Sequence, residues 1–257
     1  MKQQYDLVLR PVHYACVSGG KDSLYMLNLI LNNLDKYPLD CVVHYEMEID
    51  WEWVKDVIDL MESRCKQYNI PFYRIKPRQT WEELYKKYGF PSRLVRWCNS
   101  KYKLDAAKQV VEWIESLNCR PVAYIGFCKD ESKRFKYEIG DWKKSIYCYP
   151  LAEEGIEESE VLNWARTAKI FNDWYKYFRR QGCMTCPMLS MKEFAYMYKY
   201  YRENYEQYFV YVSEWEKQCK TNYFKDSTIE EFRNRIETKW VNILEQEENQ
   251  MSIFDFI

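Results

Sequence analysis

Short apolar runs alternating with longer helix-patterned stretches fill the first 150 residues, and this alternation constrains the fold more than any other feature of the chain. Strand candidates are Val12 to Val17, Asp40 to Met47, Phe72 to Lys76, Val122 to Phe127 and Ser145 to Tyr149. Between them lie the helix candidates Ser23 to Asn33, Trp51 to Tyr68 and Ser100 to Leu117. In the second of these, Trp53, Val54, Val57, Ile58, Met61 and Cys65 recur at three- and four-residue spacing, the period of one helix face. Strand, helix and strand in series predict an α/β fold, a parallel sheet of five strands with helices on both faces. From Leu151 the strand-like runs stop, and Ile156 to Lys169, Ser190 to Tyr208 and Ser227 to Glu248 read as helices rich in Tyr and Trp. That aromatic content suits helix packing with hydroxyls at a wetted rim. The expected division is residues 1–150 as an α/β domain, 151–248 as a helical C-terminal region and 249–257 as a tail.

Charge sets limits on partners. Lys plus Arg total 38 against 39 Asp plus Glu, a net charge of -1, which argues against gripping nucleic acid by bulk charge and leaves room for a local basic patch. No apolar run approaches the roughly 18–20 residues of a membrane helix, so no membrane span is expected. Met1 to Tyr14 lacks the apolar core of a secretory leader. A cytoplasmic setting is therefore expected, in which the ten cysteines are reduced thiols or metal ligands. Only seven glycines occur in the whole chain, so an adjacent pair of them demands a reason.

That pair stands in Ser18-Gly19-Gly20-Lys21-Asp22-Ser23, between the first predicted strand and the first predicted helix. Two glycines let the chain turn tightly and bring backbone N–H groups close to an oxyanion. The helix that follows aims its free N–H groups and positive dipole end at the same point. Ser18 and Ser23 add hydroxyls, Lys21 adds a compact positive charge, and Asp22 is placed to hold Mg²⁺ beside a polyphosphate. A serine-capped β-to-α turn would need less than this full set. The hexapeptide fits neither G-x-x-x-x-G-K-[ST] nor G-x-G-x-x-G.

It resembles instead the PP-loop of the ATP-pyrophosphatase superfamily, S-G-G-x-D-S. Further segments resemble the PAPS reductase-like branch of that superfamily. His44-Tyr45-Glu46-Met47-Glu48 lies where the branch carries Asp-Thr-Gly-x-Glu and keeps the final Glu. Arg96 to Lys103 resembles its Arg-x-Cys-(x)n-Lys stretch, and Gly126 to Arg134 its Gly-Ile-Arg-x-x-Glu-Ser-x-x-Arg, with Cys128 in place of the arginine. Tyr149-Pro150-Leu151 matches the Pro-Leu after the fifth strand, so the resemblance runs over residues 12–190. It implies a Rossmann-like fold and an adenine-nucleotide site made by Ser18 to Ser23, Glu48, Gly126 and Glu131. Lys21, Asp22 and Arg134 are then the catalytic candidates. Arg96 and Lys103 are further candidates for phosphate or substrate contact.

The resemblance also limits the chemistry. PAPS and APS reductases use a cysteine in a C-terminal Glu-Cys-Gly-x-His segment, whereas the last cysteine here, Cys219, lies in Lys217-Gln218-Cys219-Lys220. ATP is accordingly the favoured nucleotide, with PAPS or APS the alternative. The expected reaction is attack by an acceptor oxygen on the α-phosphate, pyrophosphate leaving, linked to sulfur transfer. A sulfonucleotide reductase and a non-catalytic accessory protein remain the alternatives.

Gly182-Cys183-Met184-Thr185-Cys186-Pro187 holds a C-x-x-C, a spacing that serves a metal, an iron–sulfur cluster or a redox dithiol. By resemblance to cluster-bearing relatives, Cys98, Cys183 and Cys186 would supply three ligands to a 4Fe–4S cluster or zinc. Cys148 or Cys128 would be the fourth, and unligated thiols are the third alternative. Cys16, Cys41 and Cys65 fall on apolar faces and read as core packing. His13 and His44 form neither a metal nor a triad spacing, though His44 could face the site from the second strand. Gln250-Met251-Ser252-Ile253-Phe254 resembles the peptide that binds the DNA sliding clamp; an apolar tip on an extended segment suits groove docking, though a tail folded onto its own helical region is the favoured reading. A sulfur-donor protein and a nucleic-acid substrate complete the partners this reading admits.

Overall fold

The computed structural model describes residues 9–135, 146–220, 222–224 and 226–254. The chain divides into two compact units, each discontinuous in sequence: 1–47, 52–78 and 99–181 form one, and 48–51, 79–98 and 182–257 the other. The sequence placed a division near residue 150. Residues 151–181 group with the sheet unit, and Phe171, Trp174 and Tyr175 among them are buried.

The first unit is built on β1 (Arg10–Val17), β2 (Cys41–Tyr45), β3 (Phe72–Ile75), β4 (Cys119–Tyr124) and β5 (Ile146–Cys148), all parallel, in the order β3-β2-β1-β4-β5. Central strands need apolar side chains on both faces, and Ala15, Val42, Val43 and Ala123 are fully or almost fully buried. The helices of this unit are α1 (Lys21–Leu31), α2 (Glu52–Gln67), α4 (Leu104–Ser116), α5 (Pro150–Glu153), α6 (Glu158–Thr167) and α7 (Trp174–Tyr177). Helix α3 (Trp81–Tyr88) belongs to the second unit. Val54, Val57, Ile58, Met61 and Cys65 of α2 are buried as their spacing predicts. Tyr14, Cys41, Val43, Val110, Ile114 and Ala123 form a core layer, with Cys16 packed against it. The sheet runs outward from β1 to β2 on one side and to β4 on the other. This switch point lies at the carboxyl end of β1, the edge where open α/β sheets bind ligands.

The second unit is helical, with α3, α8 (Met191–Tyr200), α9 (Arg202–Cys219), α10 (Ile229–Asn234) and α11 (Val241–Phe254). Its core is aromatic: Trp81 lies 4.6 Å from Trp97, Tyr85 4.5 Å from Trp215, and Phe194 4.9 Å from Tyr208, centroid to centroid. Hydroxyls reach carboxylates at the rim, as at Tyr205 and Glu237 (3.1 Å) and Tyr200 and Glu248 (2.6 Å).

Three of the expected elements take a different form. The helix expected over 190–208 breaks at Tyr201 (φ -136°, ψ 57°), between α8 and α9. The helix expected over 100–117 starts as a π-helical segment, Cys98–Lys103, before α4. The backbone of residues 250–254, expected to be extended, continues α11 as helix. The last three residues of the tail lie outside the described residues. Among the described residues no helix is long and apolar enough to cross a membrane.

Candidate functional site: a phosphate-binding turn

Ser18 to Gly20 join β1 to α1, so the turn sits at the carboxyl edge of the sheet beside the switch point. Gly19 has φ +75°, and a Cβ there would lie 2.7 Å from the Val54 Cγ1 atom. Only glycine fits both that angle and that space. The turn closes on itself: Ser23 Oγ donates to the Gly20 carbonyl at 2.9 Å and accepts the Ser18 N–H at 3.2 Å. The first amides of α1 have no intrahelical partner, and the positive end of the helix dipole faces the turn. Gly126, after β4, approaches within contact of the Asp22 backbone, where a Cβ would meet the carbonyl oxygen at 3.1 Å.

Charge concentrates at Lys21. The residue is 2% exposed, and its Nζ lies 2.6 Å from Asp22 Oδ1 and 3.6 Å from Glu158 Oε1. Burial raises the Asp22 carboxyl above the usual range; Lys21 opposes that shift, while Glu131 and Glu158 add to it. Cys128 is fully buried, with its thiol 3.8 Å from Asp22 Oδ1 and burial pushing its pKa up to about 12. It stays a neutral thiol at pH 7. Tyr175, reaching in from α7, accepts the Lys21 N–H at 2.9 Å, and burial raises its hydroxyl well above the ordinary range.

Glu131 and Arg134 lie on the 3₁₀ turn Lys129–Arg134. Glu131 accepts the Cys128 N–H at 3.2 Å and pairs with Arg134, whose guanidinium stacks 3.9 Å over Phe127. Phe127 in turn lies parallel to Tyr149. His44 is buried at the end of β2, opposite Val17 in the register, with its Nδ1 3.0 Å from the Val17 carbonyl. Burial lowers its pKa, so the ring is neutral and Nδ1–H is the donor. It braces the strand end from which the turn springs.

Glu48 belongs to the helical unit, where its carboxylate accepts the Trp81 N–H at 3.1 Å at the start of α3. Cys148 lies on β5 of the sheet unit, while Cys98, Cys183 and Cys186 belong to the helical unit. There the three are within electrostatic reach of Tyr223, whose hydroxyl pKa is raised by burial and further by Cys186, Cys183 and Cys98. Arg93 ties this region together, donating to the carbonyls of Pro187 (3.3 Å) and Leu189 (3.5 Å). Among the described residues no group of three or more His, Cys, Asp or Glu is arranged to hold a metal ion. The carboxylates of Glu131 and Glu158 lie close enough to that of Asp22 to interact with it electrostatically. One protein carboxylate completed by phosphate oxygens is a usual magnesium arrangement.

Sequence reasoning missed Tyr175 and Glu158, and both touch Lys21. Neither carried a local signal, since Tyr175 meets the turn across 154 positions of chain.

The glycine turn thus carries a buried lysine and an aspartate at the switch point of a parallel α/β sheet. The chain belongs to the phosphoadenosine phosphosulfate reductase domain family, whose model matches residues 13–189. It is 30% identical over 203 residues to Uncharacterized protein MJ0066 of Methanocaldococcus jannaschii, a match that takes in 75% of this chain and 39% of the relative. The chain spans less than half the length of the curated relatives it matches. Among solved structures it is similar to the phosphoadenylyl-sulfate reductase of Candida auris in its phosphate complex: 20% identity, 62% of this chain, 74% of that one, TM-score 0.40. It is also similar to the U34-tRNA thiolase NcsA of Methanococcus maripaludis with its 4Fe–4S cluster: 17% identity, 93% of this chain, 74% of that one, TM-score 0.37.

Proposed function

We propose that the turn Ser18 to Ser23 binds the polyphosphate of ATP and that the protein cleaves the nucleotide at its α-phosphate, adenylating an acceptor on the way to sulfur transfer. The observation that carries this reading is Lys21, a buried cation placed on a glycine turn at the mouth of a helix. A buried lysine at such a place suits a multiply charged anion better than a structural role. Membership of the family supports an adenine nucleotide as the ligand.

An acceptor oxygen attacks the α-phosphorus, the bond from that phosphorus to the bridging oxygen breaks, and pyrophosphate leaves with the electron pair. The chain's contribution is electrostatic. Lys21 and the amides of the first turn of α1 neutralise charge growing on the leaving oxygens. Asp22 would hold Mg²⁺, which supplies charge neutralisation on the same oxygens when bound. Arg134, fixed by Glu131 and Phe127, is placed to meet a further phosphoryl oxygen. The outer sulfur of a donor protein's persulfide then attacks the adenylated carbon, AMP leaves with the C–O electron pair, and a second thiol of the donor attacks the inner sulfur, forming a donor disulfide and releasing the thiolated acceptor. The acceptor is a small molecule or a nucleic acid.

Pyrophosphate release from ATP and Mg²⁺ tests the reading. Wild-type protein is expected to release it with the right acceptor, and Asp22→Ala to release it about a hundredfold more slowly or not at all. Equal release by both proteins overturns the assignment. The family's own reaction class supports a second reading, reduction of a sulfonucleotide by an external thiol. Sulfite produced from PAPS or APS, without pyrophosphate from ATP, would select it.

A further inference from the structure

We propose that Tyr175 is a positioning residue for the phosphate-binding turn, an inference that rests on the nucleotide reading above. The N-cap of α1 is Gly20, which has no side chain with which to cap the helix. Serine, threonine, aspartate or asparagine at that position would satisfy an early amide from within the turn. Here the Tyr175 hydroxyl does so from outside the helix, accepting the Lys21 N–H at 2.9 Å. A Cβ on Gly20 would lie 3.5 Å from that hydroxyl and 3.1 Å from Gln181 Oε1, so the bare N-cap and the external cap fit together.

Tyr175 is itself held from several directions. It is 1% exposed, Phe171 packs edge-on to it at 4.9 Å, and Arg166 Nε donates to its carbonyl at 3.3 Å. Asn172 and Asp173 just before α7 both lie in the left-handed region, at φ +49° and +57°. Two successive non-glycine residues there make a sharp bend that few sequences adopt, and the bend delivers the ring to the turn. With the Lys21 amide taken by a fixed neutral oxygen, the turn keeps its shape without a ligand. The amides that follow and the Lys21 side chain then meet a polyphosphate without first being ordered, which lowers the entropic cost of binding.

Calorimetry on the full chain tests this with inorganic pyrophosphate, ATP and adenosine as probes, comparing wild type with Tyr175→Phe. The variant is expected to bind pyrophosphate and ATP roughly threefold to tenfold more weakly, the worth of one hydrogen bond, and adenosine as well as before. A purely structural role would not separate ligands by their phosphates. Unchanged pyrophosphate affinity, or adenosine falling in step with ATP, overturns the proposal. If wild type binds neither ATP nor pyrophosphate, the nucleotide reading has failed. In that case, or if the variant does not fold, hydrogen exchange on wild-type protein decides: a protected Lys21 amide in the absence of ligand supports the external cap, and exchange at the rate of an open loop removes it.

Discussion

His44 shows how a single residue of this fold converts burial into pH dependence. The unfolded chain takes up a proton at the ordinary histidine value of 6.5, whereas burial holds the folded ring neutral to lower pH. Stability is therefore complete above pH 6.5 and declines as the pH falls below it, because only the unfolded state binds the proton there. His44→Asn keeps an N–H for the Val17 carbonyl and removes the titration. Its melting temperature is expected to vary less between pH 7 and pH 5 than that of wild type; parallel curves would refute the assignment. At Gly19 the constraint is steric. Gly19→Ala combines a left-handed backbone angle with a Cβ 2.7 Å from Val54. Backbone strain and overpacking together predict a loss of about 2–4 kcal/mol, readable by urea unfolding. Pyrophosphate binding should vanish with it. Both glycines of the turn were legible in the sequence because they stand side by side between a strand and a helix in a chain with only seven glycines. Tyr175 and Glu158 were not, because what places them is tertiary packing.

At the scale of elements, legibility followed length and apolarity. Four of the five strand runs stood out because they are apolar for most of their length, and α2 because its buried face repeats over 16 residues. Helix α3 escaped because its eight residues, Trp81 to Tyr88, offer too short a window for periodicity. Its start was nevertheless written in the sequence: Thr80 accepts the Glu83 N–H and the Glu83 carboxylate accepts the Thr80 N–H, a complete capping box. The break at Tyr201 had no glycine or proline to announce it. The next helix boundary upstream repeats the device of α3, with Ser190 and Glu193 bonded reciprocally at the start of α8. Ser190→Ala is expected to cost about 1 kcal/mol. A lower urea midpoint with an unchanged slope would bear this out. An unchanged midpoint would mean that packing of α8 alone fixes its first turn.

The whole chain interleaves two units, and no compositional shift marks where it passes between them. Residues 48–51 and 79–98 leave the sheet unit and residues 99–181 return to it, so a linear boundary at 150 cuts through a core. What such a cut removes can be weighed. Tyr25 of α1 meets Trp164 of α6 edge-on at 5.2 Å and donates its hydroxyl to Glu160 at 2.9 Å. Trp53 of α2 lies 5.7 Å from Trp174, and Phe171, Trp174 and Tyr175 are each at most 1% exposed. Burying a large apolar side chain is worth about 1.5–3 kcal/mol, so these three alone contribute roughly 5–9 kcal/mol. A whole domain is stable by only about 5–15 kcal/mol. A fragment ending at residue 150 is therefore expected to lack a cooperative thermal transition, although it keeps all five strands and the entire Ser18 to Ser23 turn. A fragment ending at residue 181 restores α6, α7 and the Tyr175 cap, and should recover a larger share of the transition. Circular dichroism melts of the two fragments beside the full chain make the comparison. Cooperative melting of the shorter fragment, at the temperature of the full chain, would show that the sheet with α1, α2 and α4 is self-sufficient and that the 158–181 segment only decorates it.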